Sequence, residues 1–141
     1  QNKKILTSAM EDYLEMIYRL SLTDGYVRIN SLSELLNVQA SSATKMVQKL
    51  SDLGMVDYKK YGVISLTETG NEIGRFLLQR HHIVESFLKL LGVSHSLLIE
   101  TELMEHTLSI DTLNRLHVMT KLFEKYPEMK IEYENLLQQQ N

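Results

Sequence analysis

Residues 40–67 read ASSATKMVQKLSDLGMVDYKKYGVISLT, and two periodicities meet inside them. Up to Leu53 the apolar positions Ala43, Met46, Val47 and Leu50 recur at helical spacing. Gly54 ends that run, as a glycine just past a helix does. From Met55 the period falls to two. Met55–Lys60, a tight turn at Tyr61-Gly62, and Val63–Leu66 spell a β-hairpin. The helix leaves Ser41, Ser42, Thr44, Lys45, Gln48 and Lys49 opposite its apolar positions, and the hairpin tip offers Lys59, Lys60 and Tyr61.

Upstream, Met10, Tyr13, Leu14, Ile17 and Tyr18 form a helical stripe over about Ser8–Leu22, stopped at Asp24-Gly25. Tyr26–Ile29 is β-like. Asn30 is the expected N-cap of a helix through Leu32, Leu35 and Leu36, and Asn37–Gln39 link it to the helix already described. Three helices and a hairpin in this order predict a mainly α chain with a winged helix-turn-helix head, residues 1–70, whose partner is double-stranded DNA. The second helix of the pair would enter the major groove. Short hydroxyls at its start suit phosphates, while Lys45, Gln48 and Lys49 are long enough for base edges. Those six residues alone would equally suit an ordinary solvated face; the hairpin directly after them decides for DNA.

Downstream, helices are expected over about 67–91, 96–108 and 109–125, with a polar, frayed one over 128–141. In the segment 100–108, ETELMEHTL, Glu102, Glu105 and His106 fall within about 100° of arc on one helix face, flanked by Leu98 and Ile99. Carboxylates on an apolar side need a cation, and no lysine or arginine lies between Lys89 and Arg115. His81 sits at the edge of the long helix's stripe, whereas His82 points away. Asp12 and Glu15 form an i, i+3 pair on the first helix. Singly, each has an ordinary structural or solvent reading. Carboxylates and imidazoles without sulfur suit Mn(II), Fe(II), Co(II) or Zn(II).

Other classes fall away. There is no cysteine for thiolate chemistry, disulfides or zinc fingers. No apolar run reaches the length of a membrane span, and the acidic N-terminus does not read as a signal peptide, so a cytoplasmic protein with no membrane partner is expected. Residues 1–75 hold nine basic and nine acidic side chains; residues 76–141 hold six and nine, which carries the whole net charge of −3. A di-metal carboxylate oxidase wants Glu-x-x-His pairs, but Leu78, Gln79, Gly92, Leu103 and Asn114 precede the five histidines by three. The cluster also lacks the leading histidine of a metalloprotease motif. No enzyme and no small organic substrate are expected. A winged-helix regulator sensing an organic ligand is a rival that leaves the acids unexplained.

The stretches SAMEDYLEMIYRL, SSATKMVQKLSDLGMV, LTETG, RHHIVESFLKLLGV and ELMEHTLS together resemble the diphtheria-toxin-repressor (DtxR) family of metal-dependent repressors, in its manganese-responsive branch, over nearly the whole chain. The resemblance implies six ligands: Asp12, Glu15, His81, Glu102, Glu105 and His106. It implies two Mn(II) per subunit, bridged by Glu102 and Glu105, with Asp12 and His106 on one ion and Glu15 and His81 on the other. Iron-responsive relatives place methionine and cysteine where Asp12 and Glu102 stand. The hard oxygens here favour manganese, with Fe(II), Co(II), Zn(II) or Cd(II) as substitutes. Gly92–Thr101 is one residue shorter than the family pattern, and His95 and Glu85 are further candidate ligands. With the chain closing at residue 141, the SH3-like domain of many iron-responsive members is expected to be absent. The resemblance further implies a helical metal-binding and dimerisation domain, residues 71–141. The metal-loaded homodimer would bind operator DNA and repress manganese-uptake genes. An iron- or zinc-responsive repressor of the same fold is the alternative.

Overall fold

Thr7 starts the first helix: its hydroxyl accepts from the Met10 amide at 3.1 Å, and α1 runs Ser8–Asp24 until Gly25 takes a left-handed φ of 80°. The computed structural model describes residues 6–140. They form two units, one ending at Gln79 and the other beginning at Arg80.

In the first unit, β1 (Val27–Arg28) runs straight into α2 (Ile29–Leu36). The N-cap of α2 is therefore Arg28, the last extended residue, and not Asn30 as expected. Asn30 lies within the helix, its carbonyl accepting the Ser33 hydroxyl at 3.0 Å. An eight-residue helix buries one narrow face, Leu32 and Ser33, so Leu35 is left exposed. Asn37 adopts a left-handed φ of 55° and turns the chain into α3 (Ala40–Asp52), which buries Ala43, Val47 and Leu50. β2 (Val56–Lys59) and β3 (Val63–Leu66) pair antiparallel, with Val56 opposite Leu66 and Lys59 opposite Val63. β1 adds to the other side of β3, giving the order β1-β3-β2. The hairpin's tight turn is a 3-10 turn, Lys60–Gly62. The core beneath is Leu14, Ile17, Leu32, Ala43, Val47, Leu50 and Ile64, with Leu77 joining it.

Thr67 closes this unit onto α4 (Glu68–Leu91). Its hydroxyl donates to the Gly54 carbonyl at 2.6 Å and accepts from the Gly70 amide at 3.0 Å. Its own amide donates to the Met55 carbonyl at 3.1 Å. One side chain thus caps a helix and pins the residues entering β2. Thr67→Val is expected to lower stability by about 1–2 kcal/mol in urea denaturation, with the helical content retained.

In the second unit, α5 (Leu97–Glu105) ends earlier than expected, with His106 as its C-cap. Ser109 must be extended to cap α6 (Ile110–Lys125), where its hydroxyl accepts from Thr112, so the chain leaves the helix before it. α7 (Pro127–Gln138) has proline in its first turn, where no amide is needed. Tyr133 donates to the Leu91 carbonyl at 2.8 Å and meets Phe123 edge-on, so α7 is tied down. The buried side of α5 is Thr101 and Glu105, four apart; Leu98 and Ile99 are exposed and do not bracket the acids as expected. No helix among the described residues is long and apolar enough to cross a membrane.

Candidate metal centre and nucleic-acid surface

Glu105 is the pivot of the second unit's chemistry. It is only 1% exposed. One oxygen lies 2.9 Å from Nδ1 of His81, and the other 3.8 Å from Nε2 of His106. A buried carboxylate facing two imidazoles through its two oxygens has the donor set for one cation or for two that share it. The third position on this face is Glu85, whose oxygen lies 4.0 Å from Nε2 of His81, one helical turn on. The chain has no cysteine, and these carboxylate and imidazole donors match the borderline and hard divalent ions rather than the soft ones.

The sequence had shown no nearby cation for these acids. The fold brings one to the imidazole of the cluster: Arg80, buried on α4, places a guanidinium nitrogen 3.2 Å from Nδ1 of His106, from 26 residues away. Guanidinium nitrogens only donate, so Nδ1 accepts, which assigns the imidazole proton to Nε2. Local sequence could not reveal this, because α4 and α5 meet through the fold. The only signal was that Arg80 directly precedes His81 on a stripe of buried residues. Glu102 stands on the exposed side of α5, and His95 is exposed in the turn before it.

In the first unit, Glu15 is buried and ion-paired with Arg19 one turn on, while Asp12 is exposed. Glu11, not singled out in the sequence, is buried as well. Beside them, burial pushes the Tyr13 hydroxyl above the usual phenol range, so it remains a neutral core ring.

The residues singled out as candidate DNA contacts are all on the surface of the first unit. Ser41, Ser42, Thr44, Lys45, Gln48 and Lys49 are all exposed on α3, and Lys59 and Lys60 are exposed on the hairpin. Gln48 rests on Asp52 at 3.4 Å, a weak internal bond that a base edge can replace. Arg28 stacks on Tyr26 with its guanidinium carbon 5.7 Å from the ring centre, adding a cation to the same unit.

A helix-turn-helix with its wing, joined in one chain to a helical unit holding a carboxylate between imidazoles, has the parts of a metal-binding transcriptional regulator. The chain matches the family described as "Iron dependent repressor, N-terminal DNA binding domain" over residues 5–64, and that described as "Iron dependent repressor, metal binding and dimerisation domain" over residues 67–132. The chain belongs to this iron-dependent repressor family, the one its motifs resemble. It is 39% identical to the HTH-type transcriptional regulator MntR of Lysinibacillus sphaericus over 124 residues, covering 87% of this chain and 89% of that protein. Among solved structures it is similar to the manganese regulator SloR (TM-score 0.71, 30% identity, 82% of this chain and 55% of that one). It is also similar to a manganese-dependent transcriptional repressor in complex with manganese (TM-score 0.71, 29% identity, 79% of this chain and 52% of that one). The chain therefore spans about half the length of these solved chains.

Proposed function

We propose that this chain is a manganese-responsive repressor that binds operator DNA as a metal-loaded homodimer and controls manganese uptake. The observation that carries the reading is Glu105: a buried carboxylate with an imidazole at each oxygen, in a family of metal-dependent regulators. The manganese regulators among its relatives favour Mn(II) over iron or zinc. The oxygen donors Asp12 and Glu102, at positions where iron-responsive members carry sulfur, favour it too.

His81, Glu105 and His106 form the core of the ligand set; Asp12, Glu15 and Glu102 complete it, for two ions in each subunit. When bound, divalent ions supply the fixed positive charge that lets these carboxylates remain ionised side by side. Asp12 and Glu15 then tie α1, and with it the reading head of about residues 1–70, to the helical domain of about residues 71–141. Holding both heads of a dimer in one arrangement favours the spacing of successive major-groove half-sites. In that arrangement Ser41 and Ser42 meet phosphates and Thr44, Lys45, Gln48 and Lys49 face the groove, with Lys59 and Lys60 on the neighbouring backbone.

The test is fluorescence anisotropy of labelled duplex, recovered by in-vitro selection, with Mn(II), Fe(II), Co(II), Zn(II) or chelator. Mn(II) is expected to tighten binding by about ten- to a hundredfold, the usual range of allosteric coupling. Equal affinity with Mn(II) and with chelator would end the proposal.

A further inference from the structure

Tyr61 is 94% exposed and sits at the tip of the β2–β3 hairpin with φ 66° and ψ 20°, a left-handed conformation that a bulky side chain rarely adopts. Of the described residues other than glycine, it shares positive φ with Asn37 alone, and asparagine is a natural occupant of that region. Tyrosine here gains nothing from its own core: the ring is in water and the backbone is strained. Such an outlier at an exposed tip points to a use outside the folded chain.

The tip is also held in place. Gly62, itself at φ 76°, passes so close to Ile29 that a Cβ on it would lie 2.7 Å from the Ile29 Cγ2. The hairpin end is therefore seated on the first residue of α2, and Tyr61 is fixed next to the helix pair that carries the reading surface. Lys59 and Lys60 precede it and are exposed, so the ring stands beside two cations that suit phosphates. On duplex DNA the apolar surface within reach of a wing beside two such lysines is the deoxyribose edge of the adjacent groove.

We propose that Tyr61 is a DNA contact of the wing, packing its ring on deoxyribose at the groove edge, with Lys59 and Lys60 on the flanking phosphates. This rests on the reading of the chain as a DNA-binding repressor. The contact is apolar, so it adds affinity without releasing counterions, which separates it from the lysines beside it.

The experiment compares full-length parent, Tyr61→Asn, Tyr61→Phe and Lys60→Gln, each with Mn(II), on the selected duplex across a salt series. Asparagine tolerates the left-handed backbone, so Tyr61→Asn is expected to keep the parent's melting temperature yet bind roughly tenfold more weakly, with an unchanged salt slope. Tyr61→Phe retains the ring and is expected to bind as the parent does. Lys60→Gln is expected to reduce the salt slope by about one. Tyr61→Asn binding as tightly as the parent overturns the proposal. So does a Tyr61→Asn loss that comes with a lysine-like drop in slope, or Tyr61→Phe failing as Tyr61→Asn does. If the parent itself selects and binds no duplex with Mn(II), the repressor reading fails and this contact fails with it.

Discussion

Glu105→Gln is expected to weaken Mn(II) binding by roughly a hundredfold or more, judged against the losses seen when mere supporting groups of a metal site are removed. Glutamine keeps the shape of the side chain but gives up its charge and one of its two equivalent oxygens. Those oxygens face His81 at 2.9 Å and His106 at 3.8 Å, so the substitution touches both sides of the cluster together. The fold itself should survive. Glutamine fills the same buried space and keeps an oxygen that can face His81. Calorimetric titration with Mn(II) should therefore show a lost site in a protein whose circular dichroism without metal matches that of the parent. DNA binding should become insensitive to the ion. A variant that still takes up Mn(II) with parental affinity would remove Glu105 from the centre.

The second large effect is on the head. Gly70→Ala is expected to destabilise the chain by about 3 kcal/mol or more, lowering the melting temperature by roughly 10 °C. A Cβ at this position would lie 1.8 Å from the Met55 carbonyl oxygen and 2.8 Å from its carbon. That neighbour is backbone and cannot swing aside. The same carbonyl accepts the Thr67 amide, and Gly70 donates to the Thr67 hydroxyl, so any shift breaks the connection between α4 and the start of β2. Gly25→Ala is the comparison: its φ is 80°, but nothing lies within 4 Å of an added Cβ, so only the left-handed penalty of about 1 kcal/mol applies. Thermal unfolding followed by circular dichroism distinguishes the two. If Gly70→Ala melts no lower than Gly25→Ala, close packing is not why glycine stands there.

The glycine in LTETG is visible in the sequence, but its purpose is not, because the Met55 carbonyl is brought to it only by folding. The same holds for Arg80. It reaches His106 across from α4, 26 residues away along the chain. Helical periodicity placed Glu102, Glu105 and His106 on one face, whereas the fold buries Glu105, half-buries His106 and leaves Glu102 exposed. Leu98 and Ile99 are exposed, and the side that enters the interior runs through Thr101 and Glu105. Nine residues span only two and a half turns. In so short a helix, apolar content does not fix which side faces inward.

By itself, the order of periodicities determined the winged helix-turn-helix and the helical segment after it. Spacing along each helix is a local property, and glycines at Gly25, Gly54 and Gly92, all at positive φ, mark where each run must stop. Spacing also exposed α3's polar face and brought Glu105 beside His106. The tertiary structure alone decided which oxygen of Glu105 meets which imidazole, that Arg80 joins His106, and that Tyr61 is held strained in water. Those depend on the distances between elements, and distance through space is not encoded in the period of any one of them.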